Sequence, residues 1–366
     1  MDYQRMPIEI ESPEELGYAH ILYNLAESSV TDVIWDDLEL DLRGLVLQYG
    51  DHLGHPKLRS KLAQDAGLEA DDVMLTVGAA SALFILHTTL LKANDHLIVT
   101  FPNYGTNLET PRAIQCEVTK LELKIETGWK FDLEQLSALV RPNTKLISLT
   151  TPHNPTGTCL SAADMTRVLE IAATVGAHVL VDETYRDMTF FDPIPHAASL
   201  SSKVISVSSL SKSYGLPGIR LGWLMTGDAA LMQRFLAAKE QIFICGSSLD
   251  EEVAFQVMQR QAQKLEAVKN MLETNLSVLR EWIAGEPRLE WIGPSGGCVC
   301  FPHITADVNL ETFYKSLLET HGTYVGPGHW FGMSDSYFRL GFGWATLEQM
   351  KMGLQGISRA LDDAAL

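Results

Sequence analysis

Between about Asp51 and Gly227 short apolar runs rich in β-branched residues alternate with stretches of helical period. Val73–Val77, His96–Thr100, Lys145–Thr150, His178–Val181 and Val204–Val207 read as buried strands, and an apolar helix from Ala82 to Leu91 follows the first of them. This alternation predicts an α/β fold, a mostly parallel sheet flanked by helices. Each run ends in a loop rich in polar residues. In open α/β sheets ligands gather outside the carboxyl ends of the strands, so the chemistry is expected along one sheet edge. A long helical stretch follows from about Ala229 to Ile283. The pattern then shifts to a compact α+β tail with Cys298–Phe301 and Tyr337–Leu340 as strands. The expected division is a large domain over 45–260 and a smaller one built from 1–44 and 261–366. Repeats and low-complexity tracts are not evident.

Composition narrows the class. With 366 residues, 46% hydrophobic and 20% charged, the chain can bury a sizeable core. A net charge of −18 argues against nucleic acid or an anionic membrane as partner. Five cysteines, odd in number and without CxxC spacing, indicate neither a disulfide framework nor a zinc site. Met1 to Pro7 carries no apolar signal segment, and no later run is long enough to span a bilayer. A reducing cytoplasm is the expected location.

The chemistry concentrates in Ser208-Ser209-Leu210-Ser211-Lys212-Ser213-Tyr214-Gly215-Leu216-Pro217-Gly218-Ile219-Arg220, directly after a strand. An amine at a strand end, among hydroxyls and glycines and with a fixed cation eight positions on, suits a Schiff-base lysine beside a phosphate pocket. That combination points to pyridoxal 5'-phosphate. Asp182 closes the strand before it, with Tyr185 three residues later. A carboxylate there can hold a pyridine nitrogen protonated, and Tyr185 can hydrogen-bond the ring hydroxyl. Asp182 taken alone reads first as a strand-end aspartate capping a following helix, and its pairing with Lys212 at the end of a second buried strand is what favours the cofactor role.

Gly78-Ala79-Ala80-Ser81 joins a strand to a helix, where free N–H groups can receive a phosphate, although small residues there also serve as plain turn formers. Ser209, Ser211 and Arg220 supply further anion donors. Tyr104, in Phe101-Pro102-Asn103-Tyr104-Gly105, offers a ring to stack on a flat cofactor or to seal the core. Two prolines flank Asn154 in Thr151-Pro152-His153-Asn154-Pro155-Thr156-Gly157 and hold it in a defined turn. Arg339 stands in an otherwise apolar strand and needs an anion, either a substrate α-carboxylate or a structural acidic partner.

These motifs, in this order from about Asn24 to Gly343, resemble the class I/II aminotransferases, members of fold type I of the pyridoxal-phosphate enzymes. The resemblance implies that Ser209 and Arg220 bind phosphate, that Tyr104 stacks on the ring, and that Asn154 reaches the cofactor hydroxyl beside the substrate carboxylate. It implies that Arg339 grips that carboxylate. Gln48-Tyr49-Gly50-Asp51-His52-Leu53-Gly54-His55-Pro56-Lys57-Leu58-Arg59 resembles the family pattern whose tyrosine reaches the neighbouring subunit's phosphate, which implies a homodimer with shared sites. Asn24-Leu25-Ala26-Glu27 is closer to aminocyclopropane-carboxylate synthases and implies that Glu27 faces the substrate side chain, favouring a cationic or sulfonium group. A solvated glutamate at a helix start is the other reading of Glu27.

The implied activity is amino transfer from an L-amino acid to a 2-oxo acid through Lys212. The alternative is a lyase, cyclase or oxidase acting on a cationic or sulfonium amino acid, because the same residues prepare a carbanion without dictating its fate.

Overall fold

The structure, a computed structural model, describes residues 1–191 and 195–366. Its centre is a seven-stranded sheet. In chain order the strands are β1 (Val73–Val77), β2 (His96–Phe101), β3 (Glu117–Glu122), β4 (Thr144–Thr150), β5 (His178–Asp182), β6 (Val204–Ser209) and β7 (Leu221–Met225). Their spatial order is β1-β7-β6-β5-β4-β2-β3. All neighbours pair in parallel except at β7, which runs antiparallel to both β6 and β1. Six strands therefore end at one edge, and β7 begins there.

Alternation along the strands explains why both faces are covered. Leu97, Val99, Leu146, Leu180 and Ile205 pack with helices Gly78–Leu90 and Ala229–Ile242, while Ile98, Ile147, Val179, Val181 and Val204 pack with helix Ala162–Val175. Successive side chains point to opposite faces, so a strand buried on both sides reads as a continuous apolar run.

The sequence reading missed β3 and β7. β3 is an edge strand of mixed polar residues, mostly exposed or half-buried. β7 is buried at every residue but lies inside the lysine segment. The link over residues 210–220 is too short for a crossover helix, which forces β7 to return antiparallel. The long helical stretch is three helices, Ala229–Ile242, Ser248–Met258 and Gln261–Ala284. Ile244 takes a left-handed φ of +53° between the first two, and Ser247 caps the second by accepting from the Asp250 N–H at 3.3 Å. Helix Gly78–Leu90 also starts four residues earlier than its apolar run indicates.

The C-terminal part packs helices Gln261–Ala284, Leu310–Glu319 and Leu347–Asp363 around a three-stranded sheet of Val299–Cys300, Phe338–Gly341 and Gly326–Pro327. Cys298 and Cys300 are buried in this core, and all five cysteines are free. No helix among the described residues is long and apolar enough to cross a membrane.

The first twenty residues form a strap between the sheet and the C-terminal part. At one end the Gln4 N–H donates to Glu109 Oε1 at 2.6 Å, and Arg112 donates to the Asp2 carbonyl at 2.5 Å. At the other end Tyr324 donates to the Glu11 carbonyl at 2.7 Å. Glu11 Oε2 lies 2.7 Å from His329 Nε2 and accepts from Trp330 Nε1 at 2.9 Å, while His329 Nδ1 faces Asp335 at 2.8 Å. Burial pulls the His329 pKa down, but the hydrogen bonds to Glu11 and Asp335 outweigh it and the net shift is upward. A raised folded-state pKa adds stability that is full below the unfolded value near 6.5 and lost as pH rises through the folded value. The melting temperature lost by His329→Gln should therefore be largest near pH 6 and shrink towards pH 9; a loss that grows with pH would contradict the clip.

Candidate active site

The sheet edge opens into a cleft of 370 Å³ lined by residues from the ends of β4, β5 and β6, the strap and the C-terminal part. Asp182, the last residue of β5, is 7% exposed. Its Oδ1 accepts from the Thr184 N–H at 3.0 Å and the Thr184 hydroxyl at 2.6 Å, and Oδ2 is left for the cleft. Burial raises its pKa against these bonds, so this carboxylate is short of a positive partner. No α-helix follows for it to cap; the next element is the 3-10 turn Arg186–Met188.

Lys212 lies in the turn after β6, its carbonyl accepting from the Val30 N–H at 3.1 Å. Burial lowers the pKa of its amine, Glu27 opposes that shift and Arg339 adds to it. A lysine pushed towards its neutral form is the nucleophilic form. Tyr185 is buried and hydrogen-bonded to the Ser28 side chain, and burial pushes its hydroxyl up.

Arg339 sits on strand Phe338–Gly341 and is 4% exposed. It donates from Nη1 to Asn154 Oδ1 at 3.2 Å and from Nη2 to the Ala26 carbonyl at 2.7 Å, and Nε is buried without a partner. Phe331 and Trp330 lie beside it, with ring centroids 5.1 and 5.7 Å away. None of the ion pairs among the described residues includes it, so the structural acidic partner allowed by the sequence is not found there. Burial lowers its pKa, the expected effect on an uncompensated cation. Asn154 is held by a turn in which the His153 N–H donates to the Thr158 carbonyl at 2.8 Å and the Gly157 N–H to the His153 carbonyl at 2.7 Å.

At the opposite end helix Gly78–Leu90 begins with no side-chain cap, so its first N–H groups are free beside Ala79 and Ala80 on the cleft wall. Gly78 has a φ of +68°, and a Cβ there would lie 2.6 Å from Arg220 Nη2. Gly222 on β7 is equally constrained, since a Cβ would lie 2.5 Å from the Gly78 carbonyl carbon. Ser209, Ser211 and Arg220 complete the wall. Arg220 donates to the Pro217 carbonyl at 2.9 Å, and the Ser211 N–H to Ser209 Oγ at 3.3 Å. Together these groups form an anion cradle, and with Asp182 Oδ2 and Lys212 they fit a phosphorylated pyridine aldehyde.

Tyr104 is half-buried on the cleft wall. Asn103 fixes it from behind, with Oδ1 accepting from the Tyr104 N–H at 2.7 Å and Nδ2 donating to Thr100 Oγ1 at 2.9 Å. Glu27 is half-buried in the cleft, in the loop after the two-residue strand Tyr23–Asn24 and not at a helix start, and Tyr18 donates to its Oε1 at 3.1 Å. Tyr49 is 82% exposed and lies in a separate groove with Leu47, Ile242 and Ile244. The sequence reading missed Asn103, Thr184, Ser28, Trp330, Tyr18 and Glu14 at this site. Only Thr184, two residues after a strand-end aspartate, carried a usable signal, the Asx turn.

Comparison with known proteins agrees with this geometry. The fold is that of the fold type I pyridoxal-phosphate enzymes: the chain superposes on a PLP-dependent aminotransferase from Streptococcus suis with a TM-score of 0.93 and 30% identity, covering 100% of both chains. The family model described as aminotransferase class I and II matches residues 22–357, and the chain belongs to that family. Its cofactor is pyridoxal 5'-phosphate. Relatives include a capreomycidine synthase of Streptomyces vinaceus, 28% identical over 88% of this chain and 82% of that protein. Another is the arginine–pyruvate transaminase AruH of Pseudomonas aeruginosa, 29% identical over 80% and 77%.

Replacing Gly78 by alanine should displace Arg220 and weaken retention of pyridoxal phosphate about tenfold or more in equilibrium dialysis. Unchanged affinity would show that Arg220 does not depend on this close approach.

Proposed function

We propose that the protein is an aminotransferase that moves the amino group of an L-amino acid to a 2-oxo acid, with Lys212 as its catalytic amine. The observation that carries this reading is Arg339, a buried guanidinium without a carboxylate partner, hydrogen-bonded to Asn154 in the cleft that holds Lys212. When bound, pyridoxal phosphate supplies an aldehyde carbon that takes an amine and a ring that accepts the electrons left on the substrate α-carbon.

The chain's own residues account for the rest. Ser209, Ser211, Arg220 and the N–H groups of Gly78, Ala79 and Ala80 would hold the phosphate, Tyr104 would offer its ring face to the pyridine, and Asn154 and Tyr185 would be the partners for the ring hydroxyl. Asp182 Oδ2 would hold a proton on the ring nitrogen, a positive partner that would offset the cost of burying this carboxylate. Arg339 grips the α-carboxylate with a bidentate fork and fixes the α-carbon. Lys212 Nζ, its pKa lowered by burial, takes and returns the α-proton. The strap residues Ile8, Pro13 and Glu14 line the outer side of the cleft, which must still admit the one water that releases the donor's 2-oxo acid.

The names of the Streptococcus suis structure and of AruH support amino transfer. The capreomycidine synthase relative and the position of Glu27 in the cleft support the second reading, a cyclisation or elimination on a cationic or sulfonium amino acid. Tyr49, exposed beside Leu47, Ile242 and Ile244, fits a homodimer in which it reaches the partner's phosphate. Loss of cofactor from Tyr49→Phe, dialysed beside the wild type, is its check.

Holoenzyme given single L-amino acids with pyruvate or 2-oxoglutarate should form the donor's 2-oxo acid and the acceptor's amino acid in equal amounts. Ammonia or a cyclised product formed without an acceptor would replace amino transfer by the second reading.

A further inference from the structure

We infer that the part of the cleft under the strap is a receptor for a cationic side chain, with Glu27 and Glu14 as its specificity-determining residues. The inference rests on the amino-acid reading above. Arg339 fixes where the α-carboxylate sits and Lys212 where the α-amine sits, so the substrate side chain must leave towards the remaining wall. That wall carries Glu9, Glu14, Tyr18, Glu27 and Asp32.

Four carboxylates there have no lysine or arginine partner among the ion pairs of the described residues. Glu27 Oε1 accepts from Tyr18, Glu9 Oε2 from the Met6 N–H at 2.9 Å, and Asp32 Oδ2 from Trp344 Nε1 at 2.9 Å. Glu14, on the short helix Pro13–Leu16, takes part in none of these. Glu27 and Glu14 are near enough that both raise the pKa of Lys212 and of Arg339. The cleft is therefore polarised along its length. Its inner end holds an unpaired cation with a buried, unsatisfied Nε, and its outer end holds unpaired anions.

An α-amino acid with a positive side chain matches both ends. An apolar or aromatic side chain would strip water from Glu27 without replacing its hydrogen bonds, and an acidic one would be repelled. Two carboxylates approaching from different segments suit the planar fork of a guanidinium better than a single ammonium. Tyr18, stacked on Trp344 at 5.9 Å and 13°, adds an aromatic surface at the same place.

The test compares L-arginine with L-citrulline, its neutral isostere, as donors to the holoenzyme. Arginine should be favoured in kcat/KM by about tenfold or more, and Glu27→Gln should cut that ratio by about tenfold, with a smaller cut for Glu14→Gln. A second readout is calorimetric binding of 5-guanidinopentanoate, which carries the carboxylate and guanidinium but no α-amine. Its affinity should fall in Glu27→Gln, and added salt should weaken the wild type more than the variant. Equal use of arginine and citrulline, or a ratio untouched by both substitutions, would overturn the inference. Binding of 5-guanidinopentanoate that Glu27→Gln weakens, without amino transfer from arginine, would support the receptor and overturn the transferase reading. Preferred transfer from leucine or aspartate would overturn the receptor alone.

Discussion

A guanidinium taken out of water without a counter-ion costs several kcal/mol, and Arg339 is held in that state by the surrounding fold. Two hydrogen bonds, to Asn154 and the Ala26 carbonyl, and the flanking rings of Phe331 and Trp330 offset part of the cost. Those contacts come from β4's loop, the N-terminal chain and the C-terminal part, so the cleft exists only where all three meet. An anion bound beside Arg339 would relieve the remaining deficit. Lys212 and Asp182 carry matching deficits, an amine pushed down and a carboxylate pushed up by burial. Each group is poised for a ligand that brings the missing charge.

The sheet makes this possible. Parallel strands deliver Thr150, Asp182 and Ser209 to one edge, and the short antiparallel return through β7 places Arg220 against Gly78. The strap lines the remaining side and brings Glu14 into the same cleft as Glu27. Its clip through Glu11 to His329 and Trp330 ends on a ring that also packs against Arg339.

Most of the sheet and the inner half of the site were legible in the sequence. Buried parallel strands are short continuous apolar runs, and the residues at and after their ends line the cleft, which made the positions of Asp182, Asn154 and Lys212 readable. Strand β3 was hidden because an edge strand has no continuous apolar run, and β7 because its apolar residues were absorbed into the lysine segment. Of the outer half only Glu27 was legible. Glu14 and Tyr18 reach the cleft by tertiary approach of a strap with no periodic pattern and Trp330 from a 3-10 turn of the C-terminal part, and nothing in their neighbours along the chain shows which cleft they face. Asn103 was passed over because its work is done from behind Tyr104. Tyr49 was legible as a motif residue, but its environment lies outside its own chain's cleft.

The central claim is that this cleft holds an amino acid by its carboxylate while Lys212 moves the α-proton. The most direct measurement is proton NMR of an L-amino acid donor in deuterium oxide with holoenzyme and no 2-oxo acid, for the wild type and Lys212→Ala. The account predicts loss of the α-proton signal with the wild type and exchange slowed by about a hundredfold or more in Lys212→Ala. Exchange that proceeds equally in Lys212→Ala, or fails in the wild type with every donor that transfers its amino group, would contradict it.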